Sequence, residues 1–329
     1  MENLPHPVSE WDRRYMRLSC IVASWSKDPS TQCGAVLVRP DKTLASVGYN
    51  GFSRHISDDR ELYEDRNSKY PRTIHSEWNA IRSARDHTLE GYSVYAWPMS
   101  PCNQCSAALI QKKIKRIVYM KPTQEKLSRW GKKFEFAMNM LRQRNITVDM
   151  MDEGEHLRPV QNEKSHTVPV FYKEVPKWQQ RFLTVAHEVC SWSKDPISPR
   201  GAVLVRNDKT IASVGFSGLP QGIDDQPLLQ GDVETRDNML VAAERNLLLF
   251  GRDPSNNGHT AYLWPGPPSL DSLAHLIHEG IKTIVYPQKH PDERLDEELD
   301  ELLGQVGGKA IAVPWSGDTG TLEGLINDS

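Results

Sequence analysis

The strongest constraint on this 329-residue chain is that it nearly repeats itself. Ser24–Tyr49 reads SWSKDPSTQCGAVLVRPDKTLASVGY and Ser191–Phe216 reads SWSKDPISPRGAVLVRNDKTIASVGF, identical at 19 of 26 positions with a constant offset of 167. The offset returns at Ile114–Tyr119 (IKRIVY) and Ile281–Tyr286 (IKTIVY). Solenoids repeat every ~20–50 residues, so a period this long signals two duplicated domains. The length agrees, at roughly 100–200 residues per domain. A polar stretch at 152–175, with Pro159 and Pro169 and no clear period, reads as a linker between domains at 1–151 and 176–329.

With 38% hydrophobic and 25% charged residues and nine Trp, ten Tyr and seven Phe, the chain has material for two cores and is not a disordered polypeptide. No run approaches the ~18 apolar residues of a membrane span. Met1–Asp12 is charged, holds two prolines and lacks the apolar region of a secretory signal. Five scattered cysteines do not make a disulfide framework, so a cytoplasmic protein is expected. A net charge of −3 argues against a chain built to coat nucleic acid. That total hides an asymmetry: residues 1–164 carry 26 basic and 20 acidic side chains, residues 165–329 carry 14 and 23. A basic first half suits a small anionic ligand, and equally suits an ordinary solvated surface.

Periodicity predicts one half as α-β-β-α-β-α-β-α-β. Apolar residues at helical spacing run from Trp11 to Trp25, and Ala35–Val38 and Thr43–Tyr49 form a hairpin about Pro40-Asp41-Lys42. Further helices are expected over Thr73–Ala84 with Thr73 as cap, over Cys102–Lys112 with a cap near Ser100, and over Trp130–Arg144. Strands are expected at Ser93–Trp97, Arg116–Met120 and Ile146–Met150. This order gives α/β domains of three layers (α/β/α), each with a mixed sheet of about five strands, the second half repeating it from Trp178 to Val313.

Three metal-ligating residue types stand out: His75 in His75-Ser76-Glu77, and Cys102 and Cys105 in Pro101-Cys102-Asn103-Gln104-Cys105. A C-x-x-C opening a helix turns both sulfurs to one point, where the helix dipole favours thiolates. Taken alone it also fits a redox pair. Three protein ligands leave one open position, the pattern of a catalytic zinc, and Glu77 can stand beside that position without binding the metal. H-x-E followed by P-C-x-x-C is the signature of zinc-dependent nucleobase deaminases, in which zinc acidifies water and the glutamate moves protons.

The first half resembles the deoxycytidylate (dCMP) deaminase family of the cytidine deaminase-like superfamily. The resemblance spans Trp11–Met151 and rests on SKDPSTQCGAVLV, VGYNGF, SDD, KYPRTIHSEWNAI, PCNQCSAALIQ and IKRIVY. It implies that His75, Cys102 and Cys105 hold Zn2+, that Glu77 is the proton shuttle, that Asn50 bonds the sugar, and that Ser100 and Pro101 line the base pocket. Asn50 before Gly51 also fits a plain turn. The resemblance further implies a small pyrimidine nucleotide as ligand, a homo-oligomer (three tandem chains replacing six single ones), and a deoxynucleoside triphosphate effector at Asn50–Asp59. Two departures stand against it: Phe52-Ser53-Arg54-His55 lacks the usual Pro and Gly, and Tyr95–Cys102 is one residue longer. His55 reads as a solvated loop residue, and Cys20 and Cys33 as small core hydrophobes.

The 167 offset turns His75 into Ala242, Cys102 into Ser269, Cys105 into Ser272 and Asn50 into Ser217, while Glu77 becomes Glu244. A second half without ligands is expected to be catalytically silent. It is expected to serve as a pseudo-subunit, or as an effector site through Gly218–Gly222 and Asp224-Asp225. The expected reaction is dCMP to dUMP with release of ammonia. Deamination of dCTP, CMP or a 5-modified dCMP is a close variant. Editing of a polynucleotide would need a basic, aromatic groove that the acidic second half does not supply.

Overall fold

A computed structural model describes residues 7–53, 56–158, 166–220, 222–223, 239–289 and 297–327. The chain divides into two compact units, Met1–Val160 with Leu322–Ser329, and Gln161–Thr321. Among the described residues no helix is long and apolar enough to cross a membrane.

The first unit opens with α1 (Glu10–Ala23), started by a reciprocal cap in which the Asp12 amide donates to Ser9 Oγ (3.1 Å) and the Ser9 amide to Asp12 Oδ2 (2.9 Å). The hairpin β1 (Gly34–Val38) and β2 (Leu44–Tyr49) follows, its turn closed by Asp41 accepting from Thr43. After β3 (Gly51–Phe52) come α2 (Arg60–Glu64), α3 (Arg66–Arg72), β4 (Thr73–Ile74), α4 (Ser76–Ser83), β5 (Ser93–Trp97), α5 (Asn103–Gln111), β6 (Arg116–Met120), α6 (Gln124–Gln143) and β7 (Thr147–Met151). The sheet order is β2-β1-β5-β6-β7, and β5, β6 and β7 run parallel.

Two glycines set the layers. A Cβ on Gly34 would meet the Ser19 carbonyl of α1 at 1.9 Å, and one on Gly48 would meet the Ser76 carbonyl and Ala80 amide of α4 at 2.3 Å. Ala35 pairs with Gly48, so Gly34 and Gly48 face opposite sides of the pleated sheet. Helix α1 therefore covers one face and α4 the other. On the α4 side Ala35, Leu37, Ala80, Val94, Leu109 and Leu141 form one core.

The second unit repeats these devices. Helix α7 (Lys177–Cys190) lies so close to β9 (Gly201–Val205) that a Cβ on Gly201 would meet the Ala186 carbonyl at 2.3 Å. Gly215 of β10 (Ile211–Phe216) stands in the same relation to α8 (Ala243–Phe250). Buried two-pronged ion pairs recur at the offset. Arg39 meets Asp86 at 3.0 and 2.9 Å, and Arg206 meets Asp253 at 2.6 and 2.7 Å. Cis peptides stand at Trp97-Pro98 and Trp264-Pro265. The remaining elements are β11 (Thr260–Trp264), α9 (Leu270–His278), β12 (Thr283–Gln288), α10 (Glu297–Gln305) and β13 (Lys309–Thr321).

Several expectations are corrected in detail. The stretch expected as linker holds a strand, β8 (Thr167–Phe171), which pairs with the far end of β13 and makes the second sheet six-stranded, β10-β9-β11-β12-β13-β8. Thr73 does not start α4; it closes α3 as its C-cap and pairs in β4, and His75 occupies the N-cap of α4. Cys102, not Ser100, caps α5, and α6 starts at Gln124 behind Thr123.

Asp12 ties α1 to the sheet. It accepts from Arg116 at 2.6 and 3.1 Å and from the Tyr95 hydroxyl at 2.8 Å, while Arg116 also reaches Asp149 at 2.6 Å. Burial pulls the Asp12 carboxyl upward, but Arg116 and Ser9 outweigh it and hold it below the usual range. A carboxyl so lowered contributes stability above its unfolded value of ~3.9, lost as pH falls through the lower folded value. Asp12→Ala is expected to cost about 3 kcal/mol at pH 7, because Arg116 loses a buried partner. That gap narrows as pH falls below the unfolded value of about 4 and closes once pH has passed the lower folded value, where wild-type Asp12 takes up its proton. Urea unfolding of both proteins at the two pH values measures it.

Candidate active site

Two helix starts converge in the first unit. His75 leaves β4 in extended conformation as the N-cap of α4, and Cys102 does the same at α5. Cys105 follows one turn later, its amide donating to Cys102 Sγ at 3.5 Å. His75 Nδ1 lies 3.4 Å from Cys102 Sγ and 3.5 Å from Cys105 Sγ. Among the described residues this is the one group of three metal-ligating side chains whose donor atoms gather within 4.8 Å.

The donor set fits zinc. Bonds of ~2.0–2.1 Å to nitrogen and ~2.3 Å to sulfur at tetrahedral angles give N···S edges of about 3.5 Å, as observed here. One imidazole and two sulfurs leave a fourth position open.

Electrostatics point the same way. Hydrogen bonding from the Cys105 thiol draws Cys102 down to about 4, with burial opposing and His75 assisting. Cys105, the donor of that bond, is pushed up. His75 rises to about 9, first through its bond to Cys102. Shared protons thus do in the free cluster what a cation does when bound, and metal uptake must displace them. Glu77, buried in the first turn of α4, is pushed up chiefly by that burial, with His75 pulling it back.

All four residues line a cavity of about 820 Å³. Asn50 and Ser100 line it too; Pro101 does not, and sits buried just before the Cys102 cap. The Asn50 amide is engaged inward. Its Oδ1 accepts from the Cys33 amide (2.7 Å), and its Nδ2 donates to the Thr31 carbonyl (2.9 Å) and Asp28 (3.3 Å). Arg54 and His55 lie outside the described residues, as do Gln221, Asp224 and Asp225 of the second-half loop.

The sequence reading did not single out the pair of Asp28 and Lys69, both buried, whose charges meet at 2.7 Å on the cavity wall. Asp28 also accepts from the Ser30 and Thr31 amides, so the pair fixes the loop that Asn50 grips. The SKDP and KYP segments carried this signal, 41 residues apart.

In the second unit, Ala242 and Ser269 take the two cap positions, and Ser272 is buried. Glu244 is also buried, and Arg200, at the place of Cys33, reaches it at 3.1 Å. The same guanidinium donates to the carbonyls of Gly266 (3.0 Å) and Pro267 (2.5 Å). The Arg200 amide donates to Ser217 Oγ (3.0 Å), as the Cys33 amide donates to Asn50.

The profile of the family described as "Cytidine and deoxycytidylate deaminase zinc-binding region" matches residues 9–121. An uncharacterized deaminase in the luxG 3' region of Aliivibrio fischeri is 38% identical over 141 residues, covering 43% of this chain and 93% of that protein. The deoxycytidylate deaminase of Mus musculus is 36% identical over 116 residues, 34% of this chain and 65% of that protein. A crystal structure of the dCMP deaminase of cyanophage S-TIM5 with dCMP and dUMP aligns at 21% identity and a TM-score of 0.36, covering 44% of this chain and 100% of that one. This chain belongs to the zinc-dependent cytidine and deoxycytidylate deaminase family, and is a hydrolytic deaminase.

Proposed function

We propose that the first unit hydrolyses dCMP to dUMP and ammonia, with His75, Cys102 and Cys105 holding the zinc and Glu77 moving the protons. The observation that carries this reading is a buried glutamate beside a His-Cys-Cys cluster in a cavity of about 820 Å³. Zinc, when bound there, supplies water acidified to a pKa of about 7. Glu77 takes a proton from the attacking water as oxygen bonds to ring C4, and delivers it to N3. It then passes the second proton to the exocyclic amine, so that ammonia leaves and the C4 carbonyl forms. Burial, by pushing the Glu77 carboxyl up, suits it to both accept and return a proton near neutral pH. Asn50 holds the loop beside the sugar, and Ser100 faces the base. The family relatives include deoxycytidylate deaminases, which favours dCMP over a polynucleotide.

We also infer that the chain arose by tandem duplication and that its second unit is catalytically silent. The shared glycines, ion pairs and turns at one offset support the first point. The alanine and two serines at the ligand positions support the second. A trimer of such chains follows if the six-domain assembly of the family is kept; a solution mass of one chain would remove it.

Three outcomes are expected. Zinc-loaded protein deaminates dCMP faster than CMP, dCTP, cytidine or a cytosine-containing single strand, followed by ammonia release. Glu77→Gln keeps its zinc and loses about 10²–10⁴-fold in kcat; activity on the strand alone would overturn the reading. Elemental analysis finds one zinc per chain, absent in His75→Ala and not increased in Arg200→Ala. A second equivalent would contradict a silent second unit.

A further inference from the structure

We propose that the N-terminal half of α6, with α3, selects the phosphate of the substrate, and that Lys133, Arg129 and Arg66 hold it. The inference rests on the deaminase reading of the same cavity and adds what that reading leaves open: which side chains recognise the phosphoryl group.

Helix α6 runs from Gln124 to Gln143, beyond the residues 9–121 that the family profile matches, and forms one wall of the cavity. Arg129, Trp130, Lys133 and Phe134 recur at i, i+1, i+4 and i+5, one stripe of a helix, and all four line the cavity. Further along, Phe134, Ala137 and Leu141 are buried, anchoring α6 and leaving its first turns to the cavity. The Tyr70 and Trp130 rings meet edge to face at 5.5 Å, pinning α3 to α6. Arg66 lies one turn before Tyr70, and Lys133 one turn after Trp130 with its ammonium 5.0 Å over that ring.

The charges on this wall are unequal. Lys69 is neutralised by Asp28 at 2.7 Å and serves the loop. Arg129 pairs with Glu125 at 2.6 Å along the exposed helix surface, a contact worth little and easily exchanged for a ligand. Arg66 and Lys133 make no ion pair among the described residues. Three cations lining, with Glu77, a cavity far larger than a pyrimidine ring suit a phosphate monoester carrying about −1.5 to −2 charges.

The test compares dCMP with deoxycytidine, which differs only in lacking the phosphate. In Lys133→Gln and Arg66→Gln the ratio of kcat/KM for dCMP to that for deoxycytidine is expected to fall at least about tenfold, through KM. The double variant falls further, and Lys133→Arg recovers most of the loss. An unchanged ratio in the double variant overturns the proposal, as does a wild type that prefers deoxycytidine. Wild-type enzyme gives a second reading without substitution. Its KM for dCMP rises with ionic strength and that for deoxycytidine does not; equal salt dependence also overturns it. Failure of the deaminase reading is seen separately, as zinc-loaded wild type that turns over no free cytosine nucleoside or nucleotide.

Discussion

The first unit depends on two helix N-termini brought face to face, each capped by a side chain of the cluster itself. A cap normally spends its side chain on the exposed amides of the first turn. His75 makes no such bond, and Cys102 accepts only a long one from the Cys105 amide. Both are therefore left with lone pairs aimed at a common point, in the positive end of two helix dipoles. Gly48 makes the arrangement rigid. Without a Cβ it lets the Ser76 carbonyl and the Ala80 amide rest on the β2 backbone, so the position of α4, and with it His75 and Glu77, is set by the sheet. Cys102 is placed by the chain leaving β5, whose antiparallel register with β1 is fixed from Gly34–Trp97 to Val38–Ser93.

The chemistry was legible in the sequence where it is local and obscure where it is not. H-x-E and C-x-x-C each declare a helix start with ligands, and alternation gave the hairpin and the three parallel strands within a residue or two. Cap propensity misled at Thr73 and Ser100 because the residues that take those roles, His and Cys, are poor formal caps chosen for a different bond. Helices α2 and α3 escaped notice because Arg60–Arg72 offers almost no apolar period. They are held instead by Tyr63 stacked on Phe52 at 4.0 Å and by the buried reach of Lys69 to Asp28. Strand β8 was hidden in a polar segment, since its register depends on a partner some 150 residues later in β13.

The cavity divides by origin in the same way. Its floor comes from motif residues, whose identities follow from the reaction. Its outer wall comes from α3 and α6, whose residues follow from whatever else the substrate carries. Deamination at C4 places no demand on Arg66 or Lys133, so cationic side chains there have to be explained by the part of the ligand that does not react. Uniform binding of a remote group lowers KM without changing the chemical step, which is why recognition of that kind can reside on side chains that take no part in the reaction.

A buried glutamate in this fold asks for a positive neighbour, and the two units answer differently. Glu77 and Glu244 are both buried in the first turn of their helices, where an unpaired carboxylate is costly. Beside Glu77 the His75–Cys102–Cys105 cluster is suited to a cation, and the pull of His75 on the carboxyl is already visible in its absence. Beside Glu244 stand Ala242, Ser269 and Ser272 at the corresponding places, and the Arg200 guanidinium supplies the positive charge, bonded to Glu244 and to two backbone carbonyls. Arg200 fills the ground between strand and helix with its own hydrogen bonds, so the second unit can keep its glutamate and its fold without a metal. Under the proposed duplication, loss of the ligands and gain of the arginine are one change, because either alone would strand a charge in the interior.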